Sequence, residues 1–287
     1  MVRSRVAVLV GAFVALWCLA PASADAQPSR GPELIGSRLV LALVTDTGNR
    51  PPTELEPDDF VIEEGGQPRE VLSLHLADYP IVMLLDDVSA SSKDADAIRG
   101  AAARFIARIG ERPIGVGTLT DADQLFAPLD LSRSGVLDLV RRFSTAASTP
   151  RPLQAAAAAV RAARDTGAPF SAIVIVSTRA IGSTQIAPGE SLAPILASGV
   201  PVYVVALRDA STENDDVLRA LAEQTRGQYT TIFSSASFSI ALDRLADRLS
   251  GELLIEYVVP AGAPPTGDVR VGVRIPGAKA IGLGVSK

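Results

Sequence analysis

Cysteine and histidine are nearly missing from this sequence, and each absence closes a class of chemistry. The single cysteine, Cys18, and the single tryptophan, Trp17, both sit in the apolar stretch Val6–Ala20. Beyond that stretch there is no thiol to act as a nucleophile and no disulfide to staple the fold. The single histidine, His75, lies among alternating leucines, and no Gly-x-Ser-x-Gly turn exists to pair it with a nucleophilic serine. No Gly-x-x-x-x-Gly-Lys loop is present to cradle a phosphate. Acidic residues outnumber basic ones, 32 to 27, which does not favour nucleic acid or anionic lipid as a partner. Together these gaps argue against an enzyme. A hydrolase built from distant carboxylates stays as an alternative, since Asp86 and Asp87, as chain neighbours, do not provide glycosidase spacing.

The N-terminus has the layout of a secretory signal. Arg3 and Arg5 precede Val6–Ala20, and small residues follow at Ala22-Ser23-Ala24 and again at Ala24-Asp25-Ala26. The apolar run is short for a bilayer span of about 20 residues. The expectation is an exported protein, periplasmic or secreted, with residues 1–26 removed after Ala24 or Ala26. No later stretch is long and apolar enough to span a membrane, and loss of Arg3 and Arg5 makes the chain more acidic still.

What remains changes rhythm twice. Residues 34–78 read as a small β module: Leu39–Val44 is apolar, Phe60–Ile62 is extended, Gly65-Gly66 can supply positive φ, and Leu72, Leu74 and Leu76 alternate on one face. Residues 79–250 alternate short apolar runs with helical patterns. Ile81–Leu85, Pro113–Leu119, Phe170–Ser177 and Pro201–Leu207 read as strands, with Gln124–Leu129 as an edge strand and Gln228–Ile232 as a last short one. Between them, Ile98, Ala102, Phe105, Ile106 and Ile109 recur at helical spacing, and further helices fall near 134–143, 153–164, 191–197, 215–225 and 237–249. This is the pattern of an α/β fold, a doubly wound and mostly parallel sheet covered on both faces. Residues 251–287 return to period two, with Leu253–Val259 and Val269–Ile275 as strands expected to associate with the first β module.

Ligands of open parallel sheets bind beyond the carboxyl ends of the strands. After Ile81–Leu85 the chain reads Asp87-Val88-Ser89-Ala90-Ser91, one carboxylate and two hydroxyls that can turn hard oxygens toward one point. Asp-x-Ser-x-Ser after a buried strand resembles the first segment of the metal-ion-dependent adhesion site of von Willebrand factor A domains. Three further stretches resemble the exported bacterial VWFA-related proteins: Pro57–Gly65; Val202-Tyr203-Val204 with Leu218–Ala222, Thr225 and Gly227; and Glu252–Val259 with Tyr257. The resemblance implies a protein-binding or adhesion role. It also implies two more metal segments, and both depart from the family pattern. Arg151 stands where the family has Thr, with Thr149 two residues out of register, and Ser177-Thr178-Arg179 stands where it has Asp-Gly.

Losing an anionic ligand weakens a hard cation's site severely. Arg151 and Arg179 both fall on loops expected to converge near Asp87, where a guanidinium could replace the cation by pairing with that carboxylate. The expectation is therefore a metal-free protein-binding face formed by Asp87, Ser89, Ser91, Arg151 and Arg179, with no cofactor. The alternative is Mg²⁺ held by Asp87, Ser89 and Ser91, with Thr149, and completed by an acidic residue of a partner. Plainer readings stand beside these. Ser89, Ser91 and Ser92 suit a helix cap, His75 a structural strand position, and Asp121 and Asp123 a solvated turn.

Overall fold

A computed structural model describes residues 35–46, 55–88, 91–146, 148–208, 216–264 and 267–286. The signal-like segment and Ser89 lie outside the described residues. The chain begins with β1 (Ile35–Thr45), β2 (Phe60–Glu64), β3 (Gln67–Arg69) and β4 (Val71–Leu76). It continues through β5 (Ile81–Leu85), α1 (Ser92–Arg108), β6 (Ile114–Thr118), β7 (Leu125–Ala127), α2 (Arg133–Arg141) and α3 (Pro152–Arg164). Then come β8 (Ala172–Ser177), α4 (Ala193–Ser198), β9 (Val202–Leu207), α5 (Val217–Gln224), β10 (Tyr229–Ile232) and α6 (Ser237–Ser250). The chain closes with β11 (Glu252–Pro260), β12 (Val269–Val273) and β13 (Lys279–Val285).

The central sheet has the order β10-β9-β8-β5-β6-β7, parallel except for the edge strand β7. Every residue of β5 and β8 is buried, which is why both read as unbroken apolar runs. Their side chains divide between two layers. Ile81, Met83, Leu85, Val174 and Val176 pack with α1, α2 and α6, while Val82, Leu84, Ile173 and Ile175 pack with α3, α4 and α5. Each such large aliphatic side chain contributes roughly 1.5–3 kcal/mol on burial. Ser91 caps α1 at its start, and Gly110, with φ of 78°, ends it in the left-handed conformation that glycine adopts without a steric penalty. The alanines of α3 (Ala155, Ala156, Ala159 and Ala163) are buried and let that helix lie close on the sheet.

Two smaller sheets lie beside this layer. One has the antiparallel order β13-β1-β11-β4, the other the order β12-β2-β3, and their apolar faces share a core containing Val40, Phe60, Ile62, Ile255 and Tyr257. The N-terminal and C-terminal β segments are thus woven together, since β1 pairs with β11 and β13, and β2 with β12. Gly65 and Gly66, with φ of 59° and 75°, form the two-residue turn between β2 and β3, which needs positive φ at both positions.

Two features differ from the sequence reading. First, β3 and β13 are strands that the pattern did not announce; β13 carries Gly282 and Gly284, which dilute a strand signal. Second, Leu72, Leu74 and Leu76 do not form one buried face: Leu72 is 46% and Leu76 66% exposed, and only Leu74 packs into the core. The physical reason is position. β4 is the last strand of its sheet, and a bulge opposite Glu256 and Tyr257 breaks its alternation.

A buried ionic cluster ties β11 to the larger layer. Glu252 is fully buried, accepts a hydrogen bond from the Tyr79 hydroxyl, and has Arg112 Nη1 at 3.9 Å. The Arg112 guanidinium stacks 4.4 Å above the Tyr79 ring and also donates to the carbonyl oxygen of Leu249. Among the described residues no helix is long and apolar enough to cross a membrane.

Candidate functional site

The carboxyl end of β5 delivers two adjacent carboxylates into the top of the sheet, and both are buried. Asp86 Oδ2 accepts hydrogen bonds from Thr178 N at 2.9 Å and Thr178 Oγ1 at 2.8 Å, and Oδ1 accepts from Val88 N at 3.1 Å. Asp87 turns to the opposite neighbour: Oδ1 accepts from Thr120 N at 3.2 Å, and Oδ2 accepts from the Thr120 hydroxyl. Its main-chain oxygen accepts from Ala146 N at 2.7 Å, fastening the loop before α3 to the site. Burial pushes the Asp87 carboxyl above its ordinary range, Thr120 hydrogen bonding pulls it back, and the nearby Asp86 charge raises it.

Ser91 serves as the helix cap. Its hydroxyl accepts from Asp94 N at 3.2 Å and donates to Asp94 Oδ2 at 2.8 Å. Ser235, on the loop between β10 and α6, donates to the other oxygen of Asp94, so this corner is cross-linked. Thr149 is exposed on the loop before α3.

The two arginines are placed differently from the expectation that a guanidinium would pair with Asp87. Arg179 lies 3.8 Å from Asp86 Oδ1, and neither its Nε nor its Nη2 makes a hydrogen bond among the described residues. Thr120 already engages both oxygens of Asp87, while Thr178 draws Asp86 to the end of β8, next to Arg179. Arg151 is brought to the site by its main chain, whose N–H donates to Leu119 O at 2.6 Å, beside Thr120. Its guanidinium, however, lies 3.7 Å from Glu190 Oε1. Glu190 is there because a carboxylate is favoured at a helix N-terminus: Oε2 accepts from Leu153 N at 3.1 Å and Gln154 N at 3.3 Å, the first turn of α3. Arg151 itself, at the N-cap position, makes no side-chain cap.

Sequence reasoning missed Thr120, Thr178 and Glu190. Thr120 and Thr178 carried a signal, for each stands within a residue or two of the end of a buried strand, at the carboxyl edge where ligands gather. Glu190 carried none, being far along the chain from the helix it caps. Among the described residues no group of three or more His, Cys, Asp or Glu side chains lies close enough to hold a metal ion.

No protein-family model matches this chain, and no curated protein does. Solved structures match at the level of the fold. A von Willebrand factor type A protein from Catenulispora acidiphila aligns with a TM-score of 0.50 at 13% identity, covering 87% of this chain and 73% of that one. An aerotolerance-related membrane protein from Bacteroides fragilis aligns at 0.41 and 13% identity, over 59% of this chain and 98% of its own. The PilB minor pilin from Streptococcus sanguinis aligns at 0.43 and 7% identity, over 62% of each chain. The last two are too distant to carry an argument. The first, with the strand order and the two helical layers, establishes that this chain has the von Willebrand factor type A fold.

Proposed function

We propose that this chain is an exported, non-enzymatic protein that binds another protein through the loops at the top of its parallel sheet, without a metal ion. The observation that carries the reading is the closure of the acidic pair from within. Thr120 engages both oxygens of Asp87, and Asp86 is held by Thr178 with Arg179 beside it. The residues present fit a divalent cation poorly. The third segment, Ser177-Thr178-Arg179, supplies no carboxylate, and a hard cation's affinity follows the number of anionic oxygens around it. Arg179, 39% exposed, supplies a fixed positive charge at this face. Hydrolysis finds less support: among the described residues, Asp86 and Asp87 line neither of two cavities beside the sheet, of about 230 and 250 Å³. The N-terminal signal-like segment supports export.

Calorimetric titration of the signal-free chain with Mg²⁺ and Mn²⁺, with Asp87→Ala as control, tests the metal-free reading. We expect no heat of binding at millimolar metal. Micromolar binding lost in Asp87→Ala would overturn it and assign Asp87, Ser89, Ser91 and Thr149 to a metal-dependent adhesion site for an acidic partner residue.

A further inference from the structure

The N-terminus of α3 holds a second, separate feature. The side chain of Glu190 is 2% exposed, and it spends only one oxygen on capping that helix. The other, Oε1, receives no hydrogen bond among the described residues; Arg151 Nε, at 3.7 Å, is too far to donate one. A buried carboxylate oxygen without a donor is costly, and the cost is relieved by whatever brings a donor to it. Glu190 and Arg151 line one cavity of about 250 Å³, walled by Gly189 and Ser191 of the connection between β8 and α4 and by Gln154 of α3. That volume is below the roughly 300–1,000 Å³ of drug-sized sites, so it takes a side chain rather than a cofactor. The chain's own nearby carboxamide is engaged elsewhere, since Gln154 Nε2 donates to Asp123 Oδ1 at 2.6 Å.

We propose that this cavity binds a neutral primary carboxamide, that of an asparagine or glutamine side chain. The amide N–H donates to Glu190 Oε1, and the amide oxygen accepts from the Arg151 guanidinium. Charge selects the group. A carboxylate would meet Glu190, an ammonium would meet Arg151, and a neutral group with one donor and one acceptor on the same carbon satisfies both. Entry requires Arg151 to shift off Glu190, which its 44% exposure allows. The site stands on its own residues and does not depend on the top-face reading.

The test is a nuclear magnetic resonance titration of the ¹⁵N-labelled full chain with Nα-acetyl-glutamine methylamide. The glutamate and norvaline analogues of that probe serve as comparisons. The expected result is a saturable shift of the Gly189, Ser191 and Gln154 amides in the millimolar range, at least about tenfold weaker for both analogues. Arg151→Met, a change at a half-exposed side chain, should weaken the glutamine probe by a similar factor. Glu190→Gln, which keeps a capping oxygen for α3, should do the same. Shifts equal for all three probes, insensitivity to Arg151→Met, or no saturation by about 50 mM would each overturn the proposal.

Discussion

Asp87 sits between opposing influences, and their balance sets a pH dependence. Burial raises its carboxyl, and the hydrogen bonds from Thr120 and Thr118 only partly offset that. The folded chain therefore holds this proton more tightly than the unfolded chain does. Its contribution to stability is complete below the unfolded value of about 3.9 and is lost as pH rises through the raised folded value. Asp87→Asn, which keeps an acceptor for Thr120 N, should accordingly have a higher urea midpoint than the parent at pH 7, with the gap closing near pH 4. A gap that stayed constant with pH would show that the hydrogen bonds and not the charge decide. Stability gained by neutralising a buried site residue fits a position kept for binding. Other single residues were legible beforehand with their reason hidden. Thr225 and Gly227 carried part of the family resemblance, and both turn out to lock α5 onto β9. Thr225 Oγ1 accepts from Val202 N at 3.1 Å and donates to Leu221 O at 2.8 Å. A Cβ on Gly227 would lie 1.9 Å from the Val202 carbonyl oxygen.

Among the elements, β11 is the one on which the two β segments and the larger layer meet. It pairs with β1 on one side and β4 on the other, and its first residue, Glu252, enters the ionic cluster with Tyr79 and Arg112. Removing one member of such a cluster leaves the others buried and uncompensated, at a cost of about 3–5 kcal/mol. Glu252→Ala should lower the denaturant midpoint accordingly, and Glu252→Gln, which retains an acceptor for Tyr79, should lower it less. A loss below about 1 kcal/mol in Glu252→Ala would mean that the cluster contributes nothing beyond packing. Strands that are buried on both faces were the easiest elements to read, because Ile81–Leu85 and Ile173–Val176 have no polar residue to obscure them. Helices with a cap and a glycine stop, such as α1, followed. The edge strands were the hardest. β3 contains Pro68, β13 its two glycines and β4 a bulge, and each departure from alternation is a device of strands that lack a neighbour on one side.

For the whole molecule, the loops that gather at the site were readable because strand order places them there. Which side chain meets which was not. A guanidinium goes to the nearest carboxylate still short of donors, and that depends on contacts such as Thr120 to Asp87 that join distant parts of the chain. The architecture also makes the ends of the fold interdependent. Deleting residues 267–287 removes β12 from β2 and β13 from β1, and uncovers apolar side chains that Val269, Val271, Val273 and Val285 help to cover. The truncated chain should lose several kcal/mol, a fall in thermal midpoint of roughly 10 °C at about 2–4 °C per kcal/mol, and should bind a hydrophobic dye. An unchanged melting curve would show the two strands to be accessory. The same pairing has a consequence in time. Ile35 finds its partner in Pro260 and Val40 in Val285, so the first of the described strands is matched only by strands far along the chain. Each pairing must close a loop of more than about 200 residues before it is rewarded, so β1 is matched late and its long-range contacts slow folding wherever the chain folds.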